Sequence, residues 1–311
     1  MAGGASASWR RNVRMMVPLA LLRTTGSVPQ SFGQEDIGMT TDWGRLEEIA
    51  TQTEADRLAG RMAVAVRFRG NGSEPVRWNC RGDEPFLSAS TIKVAILIAV
   101  ARAIDAGTLR HGERRSARPV DTIAGSGVLK GMEPGLSLTI DDHAYLMVAV
   151  SDNTASNVLI EAVGRETVQS VIESMDLTGT HLRRAFLGHL PSNDLPRNQT
   201  TANDLVTMLT AIADDEAASP DACRWMRKLL REQQHVDRLG RDLPSGVTFS
   251  GKSGSLEGTV HDCAILEGPD GQLIIAGLTS EVRNPYDIDA VFGQLGRIAV
   301  LITGIGNVTD D

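Results

Sequence analysis

A single apolar segment constrains the fold of this chain more than any other feature. The sequence STIKVAILIAVARAIDAG covers residues 90–107, and beyond Lys93 it is apolar on nearly every side of a helix. A surface helix has one apolar stripe, whereas a helix that is apolar all round is buried. The run is too short to cross a bilayer. It therefore predicts a helix deep inside the core of a globular protein.

Strand patterns lie on both sides of a helical middle, without the regular alternation of strand and helix that a parallel sheet needs. The strand patterns cover residues 61–69, 75–79, 246–253, 260–267 and 272–280. The helical patterns of the middle cover 141–150, 155–163, 165–175, 203–213 and 221–234. Two further helices are predicted at 42–59 and 287–302. We predict an α+β fold: an antiparallel five-stranded sheet flanked by N- and C-terminal helices, plus an all-helical lobe.

We predict one catalytic domain over residues 39–302, between a leader or disordered extension at 1–38 and a tail at 303–311. Its α/β lobe would take residues 42–87 and 240–302, and its helical lobe residues 88–239. A cleft between two such lobes is a natural place for a site.

The first 38 residues allow two interpretations. Arg10, Arg11 and Arg14 precede a short apolar stretch, as in a signal peptide, but no clear cleavage site follows. Alternatively, the segment is a disordered or misassigned leader and Met39 opens the protein. We favour the second interpretation and, with it, a cytoplasmic location over secretion, and the sequence leaves the compartment open.

The composition argues against several classes of protein. The net charge of −8 and the lack of a basic stripe disfavour nucleic-acid binding. Cys80, Cys223 and Cys263 are far apart, without a Cys-x-x-Cys pair or a Cys/His cluster that would suggest zinc. We interpret them as small buried residues with free thiols. We expect a monomer without metal, cofactor or membrane span.

Lysine is rare in this chain, and two lysines fall in short motifs. The four are Lys93, Lys130, Lys228 and Lys252. Ser90 and Lys93 stand at i and i+3 and so share a helix face, close to the free backbone N–H groups of the first turn. A lysine can accept a serine proton only when burial or a second cation lowers its pKa. Taken alone, the pair also fits a capping serine and a lysine that reaches solvent.

Two further motifs place polar residues where chains turn. Ser151–Asn153 reads Ser-Asp-Asn between apolar helical patterns, and because these residues are common helix N-caps, a helix–helix corner also explains it. Lys252–Gly254 reads Lys-Ser-Gly at the end of a strand pattern and is followed by Ser255. An edge lysine before a glycine turn explains this third motif when it is taken alone.

The order of the three motifs resembles that of the class A β-lactamase and penicillin-binding-protein superfamily of serine hydrolases. Segments 125–164, 198–205 and 258–266 are also similar to parts of that family, and the resemblance extends from residue 42 to residue 302. It implies the family's fold, which is the fold predicted above. It also implies an acyl-enzyme formed with a small-molecule or peptide substrate that has a reactive amide, lactam or ester carbonyl.

On this resemblance, four side chains carry the chemistry. Ser90 is the nucleophile, and Lys93 accepts its proton or orients a water that does. Ser151 relays a proton to the departing nitrogen, steered by Lys252. The burial of Lys93 then has a purpose, since a neutral amine beside Ser90 is needed.

The resemblance also implies how the substrate is held. Asn153 hydrogen-bonds the amide side chain of the substrate, while Ser253 and Ser255 help to bind it, Ser253 at a carboxylate. The backbone N–H groups of Ser90 and Ser255 form the oxyanion hole, which is usually a large electrostatic contribution to catalysis.

The loop over residues 182–201 departs from the family pattern. When Arg184 is set on the arginine that usually anchors this loop, Phe186 takes the place of the glutamate that activates the deacylating water, and Leu190 that of an asparagine. His189 or Asp194 could substitute, although a solvent-facing histidine and a turn-forming aspartate are the plainer interpretation.

A second departure concerns the cation that often grips a substrate carboxylate. Val260 stands where the family frequently has an arginine, and His261 or Arg283 could supply the charge, although both also fit ordinary surface residues.

Several functions stay open. A serine hydrolase without the usual deacylating glutamate is the leading hypothesis. The alternatives are a penicillin-binding enzyme similar to D-Ala-D-Ala carboxypeptidases, a β-lactam-binding sensor without turnover, and an intracellular biosynthetic enzyme.

Overall fold

An antiparallel five-stranded sheet forms the centre of the computed structural model, which describes residues 42–118, 122–188 and 195–306. Its strands are β1 Arg61–Gly70, β2 Val76–Cys80, β7 Thr248–Leu256, β8 Thr259–Gly268 and β9 Gly271–Ser280. They lie in the order β2-β1-β9-β8-β7. Short strand pairs join β3 Phe86–Leu87 to β6 Gln199–Thr200, and β4 Arg114–Ser116 to β5 Ser137–Thr139. The predicted sheet is confirmed.

Helices cover both faces of this sheet. They are α1 Gly44–Ala55, α2 Lys93–Asp105, α3 Ile140–Ala149, α4 Asn153–Val163, α5 Arg165–Ser174, α6 Ala202–Ala213, α7 Pro220–Arg231 and α8 Pro285–Thr303. The terminal helices α1 and α8 pack on one face, whereas α2 and its neighbours lie on the other. The predicted α+β class is therefore confirmed.

The period of two along each strand separates two apolar cores. On β1, the side chains of Met62, Val64 and Val66 join the core under α1 and α8, and those of Ala63 and Ala65 join the core around α2. Successive residues of a strand point to opposite faces, so a strand buried on both faces is apolar at nearly every position. This explains why the strand patterns carry so few polar residues.

Helix α2 lies at the centre of the second core, as its all-round apolar sequence predicts. Every residue from Lys93 to Ala101 is buried. The turn before it differs from the prediction, since residues Ala89–Ile92 form a 3₁₀ turn and the α-helix begins at Lys93. Ser90 therefore lies in a tight turn that leads into α2.

The predictions for the cysteines, the leader and the lobe boundaries have different outcomes. Cys223 and Cys263 are buried, but Cys80 on the edge strand β2 is partly exposed, so the prediction of three buried cysteines is wrong there. All three thiols are free. The leader at 1–38 lies outside the described residues, and the lobe boundaries stay predictions. In the described part of the chain, no helix is both long and apolar enough to cross a membrane.

Candidate active site

Ser90 is held against the sheet by a close contact with β7. Ser90 is 8% exposed and lines an open cavity. A Cβ built on Gly254 would lie 2.9 Å from the Ser90 backbone nitrogen, so this approach requires glycine. The preceding Ala89 has φ 46°, an uncommon left-handed conformation that a surrounding structure must enforce. The first and third motifs are thus in contact.

Lys93 connects the first motif to the second. Its Nζ lies 2.7 Å from the Ser151 carbonyl oxygen, 3.1 Å from Ser151 Oγ and 3.0 Å from Asn153 Oδ1. The Asn153 amide is oriented by its Nδ2, which donates to the Ala124 carbonyl oxygen at 3.1 Å. The first motif therefore contacts the second motif through the Lys93 amine, and it contacts the third through the approach of Gly254 to Ser90.

The structure favours the neutral form of the Lys93 amine. Burial lowers the pKa of Lys93 well below its ordinary value, and repulsion by Lys252 lowers it further. The Phe186 ring centroid lies 4.5 Å from Nζ, which by itself attracts an ammonium. Such an attraction is worth about 0.5–1 kcal/mol at an exposed site and about 2 kcal/mol or more when it is desolvated. Burying an ion costs several kcal/mol, so the effect of burial on the pKa is the larger one.

All three hydrogen-bond partners of Nζ are oxygen atoms. Nζ donates to the Ser151 carbonyl oxygen, to Ser151 Oγ and to Asn153 Oδ1. An ammonium can serve all three acceptors, whereas a neutral amine serves two of them and can accept from the Ser151 hydroxyl through its lone pair. This geometry therefore allows a proton to move between Lys93 and the Ser151 hydroxyl.

Lys252 is the second buried lysine and stands on β7. Its Nζ donates to the Ser253 carbonyl oxygen at 2.8 Å. Burial lowers the pKa of Lys252 to about 8, against the opposing effects of Cys263 and Asp262 on β8. This value is still above neutral, so Lys252 is mainly protonated at pH 7.

The Ser-Asp-Asn corner has a structural role as well as a place in the site. Asp152 caps α4 by accepting from the Ala155 N–H at 2.9 Å, and its other oxygen accepts from the Val128 and Leu129 N–H groups at 2.6 and 2.9 Å. Ser151 has φ 55°, a left-handed conformation at the corner. The predicted helix–helix corner is present, and it places the Ser151 hydroxyl next to Lys93.

Arg238 is a cation at the site that the sequence analysis missed. Its Nε pairs with Asp289 Oδ1 at 2.8 Å, and its other nitrogens donate to the carbonyl oxygens of Gly254 and His261 at 3.1 and 2.8 Å. It also donates to Ser255 Oγ at 2.7 Å. An arginine in a loop before β7 has no local pattern, and the missing arginine at 260 does not indicate where its substitute stands.

His261 does not provide the positive charge that an arginine at position 260 often supplies in the family. It is fully buried on β8, where its Nε2 lies 2.7 Å from the Leu87 carbonyl oxygen and its Nδ1 accepts from the Thr279 N–H at 3.1 Å. Burial lowers the pKa of His261 to about 4, so the ring is neutral at pH 7. The interpretation of His261 as a surface residue is wrong, whereas Arg283 is exposed and Val260 is buried.

Phe186 lies at the back of the cavity beside Lys93. Its backbone is clamped by Asn157 of α4, whose Oδ1 accepts from the Phe186 N–H at 2.8 Å and whose Nδ2 donates to the Phe186 carbonyl oxygen at 3.1 Å. The backbone of Phe186 is therefore held in place, and its ring lies against the Lys93 amine. Asn157 was not singled out in the sequence, because a polar residue one helical turn after a motif carries no signal of its own.

The cavity beside Ser90 has about 630 Å³ of free space, counting its open mouth, which is within the range of small-molecule sites. It is lined by Ser90, Asn153, Phe186, Ser255 and neighbouring residues. The predicted substitutes His189 and Asp194, and Leu190, lie outside the described residues. In the described ranges, no group of three acidic, histidine or cysteine side chains is placed to hold a metal ion.

Known proteins resemble this chain over most of its length. The model of the Beta-lactamase enzyme family matches residues 45–302. A crystal structure of a beta-lactamase from Sphaerobacter thermophilus DSM 20745 superposes with a TM-score of 0.77 at 34% identity, over 85% of this chain and 97% of that one. The beta-lactamase of Rhodobacter capsulatus is 29% identical over 83% of this chain and 88% of its own length. The beta-lactamase regulatory protein BlaB of Streptomyces cacaoi is 24% identical over 81% and 95%.

Proposed function

Because this chain belongs to the beta-lactamase enzyme family, we propose that it is a serine hydrolase that forms an acyl-enzyme on Ser90 with an amide, lactam or ester substrate. The observation that carries this proposal is the buried Lys93 amine, which lies within 3.1 Å of Ser151 Oγ and is depressed in pKa by burial and by Lys252. A lowered pKa increases the neutral fraction of the amine, and the neutral amine can act as the base that this proposal requires.

The proposed acylation uses Lys93 as the base for Ser90. Lys93 Nζ takes the proton of the Ser90 hydroxyl while Oγ attacks the substrate carbonyl carbon. The backbone N–H groups of Ser90 and Ser255 stabilise the oxyanion, which is usually worth several kcal/mol of the barrier. The proton then passes from Lys93 to Ser151 Oγ and on to the departing nitrogen or oxygen, and the bond to the leaving group breaks.

Substrate binding uses the groups that surround this centre. Asn153 would donate its second Nδ2 hydrogen to an amide oxygen of the substrate. Ser253 and Ser255 would hold a carboxylate on the other side, where Lys252 and Arg238 supply positive charge. Arg238 reaches Ser255 Oγ at 2.7 Å, so it can act through that hydroxyl.

Deacylation is the step that this site supports least. Phe186 stands where the family pattern has the glutamate that activates water, and its ring cannot accept a proton. Among the described residues that line the cavity, there is no carboxylate that could take over this role. We therefore expect the acyl-enzyme to persist much longer than in a β-lactamase with the glutamate.

A second function is favoured by the same observation. A protein that acylates and does not release its acyl group can report the presence of a β-lactam or act as a penicillin-binding enzyme on peptides. The similarity to a beta-lactamase regulatory protein over 95% of that protein's length supports this alternative.

One experiment separates these functions. The protein is incubated with benzylpenicillin and with a chromogenic cephalosporin, and its intact mass and the absorbance are followed together. A lasting adduct on Ser90 without colour turnover indicates the binding or sensor function, and turnover without a lasting adduct indicates a β-lactamase. The Ser90→Ala variant must lose both signals. An unchanged adduct or turnover in that variant would refute the assignment of the nucleophile.

A further inference from the structure

The side chain of His261 links the central sheet to the turn that carries Ser90. The residue is fully buried on β8, and its ring lies edge-on to that of Phe86 with 6.1 Å between the centroids. Its Nε2 lies 2.7 Å from the Leu87 carbonyl oxygen, three residues before Ser90. A side chain of the sheet therefore reaches the backbone that leads into the proposed nucleophile.

The hydrogen bonds around the His261 ring assign its proton to Nε2. Nδ1 accepts from the Thr279 N–H at 3.1 Å, so this nitrogen carries the lone pair. The Val260 carbonyl oxygen also lies 2.8 Å from Nδ1, but it accepts from the Thr279 hydroxyl at 2.5 Å. With the proton on Nδ1 instead, the Nε2 lone pair would face the Leu87 carbonyl oxygen and repel it. Nε2 is therefore the donor to Leu87.

The turn needs fixed points on both sides of Ala89. This residue has φ 46°, and a non-glycine residue keeps such a conformation only where its surroundings enforce it. After Ala89, the Ser90 nitrogen lies close against Gly254 of β7. Before Ala89, His261 of β8 holds the Leu87 carbonyl oxygen. The left-handed residue thus lies between two contacts with neighbouring strands of one sheet.

The backbone of His261 also takes part in the site. In the pairing of β7 with β8, His261 stands opposite Gly254, and its carbonyl oxygen accepts from an Arg238 nitrogen at 2.8 Å. The side chain and the backbone of one residue therefore join the Ser90 turn to the loop that carries Arg238. A change at His261 would move these two parts of the site relative to each other.

We propose that His261 is a positioning residue for acylation: its neutral imidazole donates to the Leu87 carbonyl oxygen and so fixes the turn from which Ser90 attacks. The inference rests on the proposed function, because the placement of Ser90 matters to the rate only if Ser90 is the nucleophile. The imidazole itself is fully buried and is not among the described residues that line the cavity. Misplacement of a reacting group by about 1 Å can lower a rate about 100-fold.

Two amide variants separate the two hydrogen bonds of the ring. The amide of glutamine extends as far as Nε2, so His261→Gln can keep the donor to Leu87. The shorter amide of His261→Asn can keep only the acceptor for the Thr279 N–H. The acylation rate with benzylpenicillin is followed by intact mass. We expect His261→Gln to acylate within about threefold of the unmodified protein and His261→Asn to acylate about 10- to 100-fold more slowly.

Binding and folding are measured in parallel, so that a loss of rate can be assigned to position. Noncovalent binding of benzylpenicillin, measured by calorimetry in the Ser90→Ala background, should differ by less than about threefold between the two variants, because the imidazole does not line the cavity. Denaturant titrations establish that both variants are folded in the assay. Equal acylation rates in the two variants, or a slower rate in His261→Gln, would overturn the inference.

The hydrogen bond can also be tested without any variant's activity. Imidazole ¹⁵N NMR of the unmodified protein at neutral pH should show His261 as a neutral ring with its proton on Nε2, and the signal is assigned by its loss in His261→Gln. A proton on Nδ1 would overturn the inference, because Nε2 could then not donate to Leu87.

A further readout separates a failure of this inference from a failure of the proposed function. If the unmodified protein forms no adduct with benzylpenicillin, the function proposed for Ser90 on lactams is wrong. Amide hydrogen exchange over residues 86–92 then tests the placement of the turn alone. Exchange there should be about tenfold faster in His261→Asn than in His261→Gln, and equal exchange would overturn the positioning role.

Discussion

Replacing Gly254 with alanine tests whether β7 must touch the turn that carries Ser90. The added Cβ would lie 2.9 Å from the Ser90 nitrogen and 3.1 Å from both Ala89 Cβ and the Thr91 nitrogen. Two of these three neighbours are backbone atoms, which cannot rotate away as the tip of a long side chain can. Strand and turn must therefore move apart by a few tenths of an ångström to reach ordinary contact distances.

The expected loss of acylation rate can be scaled from the oxyanion hole. Its two proposed donors, the N–H groups of Ser90 and Ser255, lie on either side of the contact at Gly254. Removal of one oxyanion-hole donor typically costs about 100- to 1000-fold in rate, and we expect an acylation rate about 100-fold lower in Gly254→Ala. Overpacking of a buried contact costs about 1–3 kcal/mol, so the free energy of unfolding should fall by a similar amount.

The assay measures the acylation rate with benzylpenicillin by intact mass, and unfolding by denaturant. Gly112→Ala is the control, because a Cβ at that position meets no heavy atom within 4 Å and the residue is far from the motifs in sequence. It should leave the acylation rate unchanged. A wild-type acylation rate in Gly254→Ala, with the protein folded, would refute the claim that the close approach of β7 arranges the site.

Three further outcomes are expected. Phe186→Glu introduces a group that can activate water and should shorten the lifetime of the Ser90 adduct by about 10-fold or more, as measured by intact mass after removal of excess penicillin. Phe186→Leu is the control. An unchanged lifetime in Phe186→Glu would indicate that the loop assignment is wrong. The acylation rate should rise with pH through the lowered pKa of Lys93, because this lysine acts as a base only when it is neutral. The rate should fall above about pH 8, where Lys252 loses its proton. A rate that does not vary between about pH 5 and 10 would contradict both roles. Asp152→Ala leaves three N–H groups without their acceptor, two of them in buried hydrogen bonds, and should reduce the free energy of unfolding by about 2–3 kcal/mol in a denaturant titration. A change below about 0.5 kcal/mol would contradict the role given to this carboxylate.

Elements with a local pattern could be predicted closely from the sequence. The strand predicted at 61–69 is Arg61–Gly70, and the helix predicted at 165–175 is Arg165–Ser174. The two-residue strands β3 and β6 were not predicted. Their pairing joins Phe86 to Thr200 across more than a hundred residues, and two residues are too few for a periodic signal.

The same distinction applies to the site. Lys93 could be found because a lysine stands out among apolar residues. Lys252 could be found because lysine is rare in this chain and this one falls in a Lys-Ser-Gly motif, and the resemblance to known motifs supplied the rest. Arg238 and Asn157 could not, since each acts by reaching across the fold: Arg238 to Ser255 and Asn157 to the backbone of Phe186. Such contacts depend on the tertiary arrangement and leave no mark on the neighbouring sequence.

The position of Phe186 links the two halves of the proposed reaction. Acylation needs a neutral Lys93, and an apolar ring beside Nζ helps to keep water away and so contributes to the burial that lowers its pKa. Deacylation needs a water molecule and a base close to the acyl carbon. The Phe186 ring lines the same cavity as Ser90 and offers no proton acceptor there. A side chain that favours the first step thus opposes the second. For a protein whose task is to stay acylated this arrangement is an advantage, whereas a fast hydrolase would need a polar group in this position that activates water without protonating Lys93.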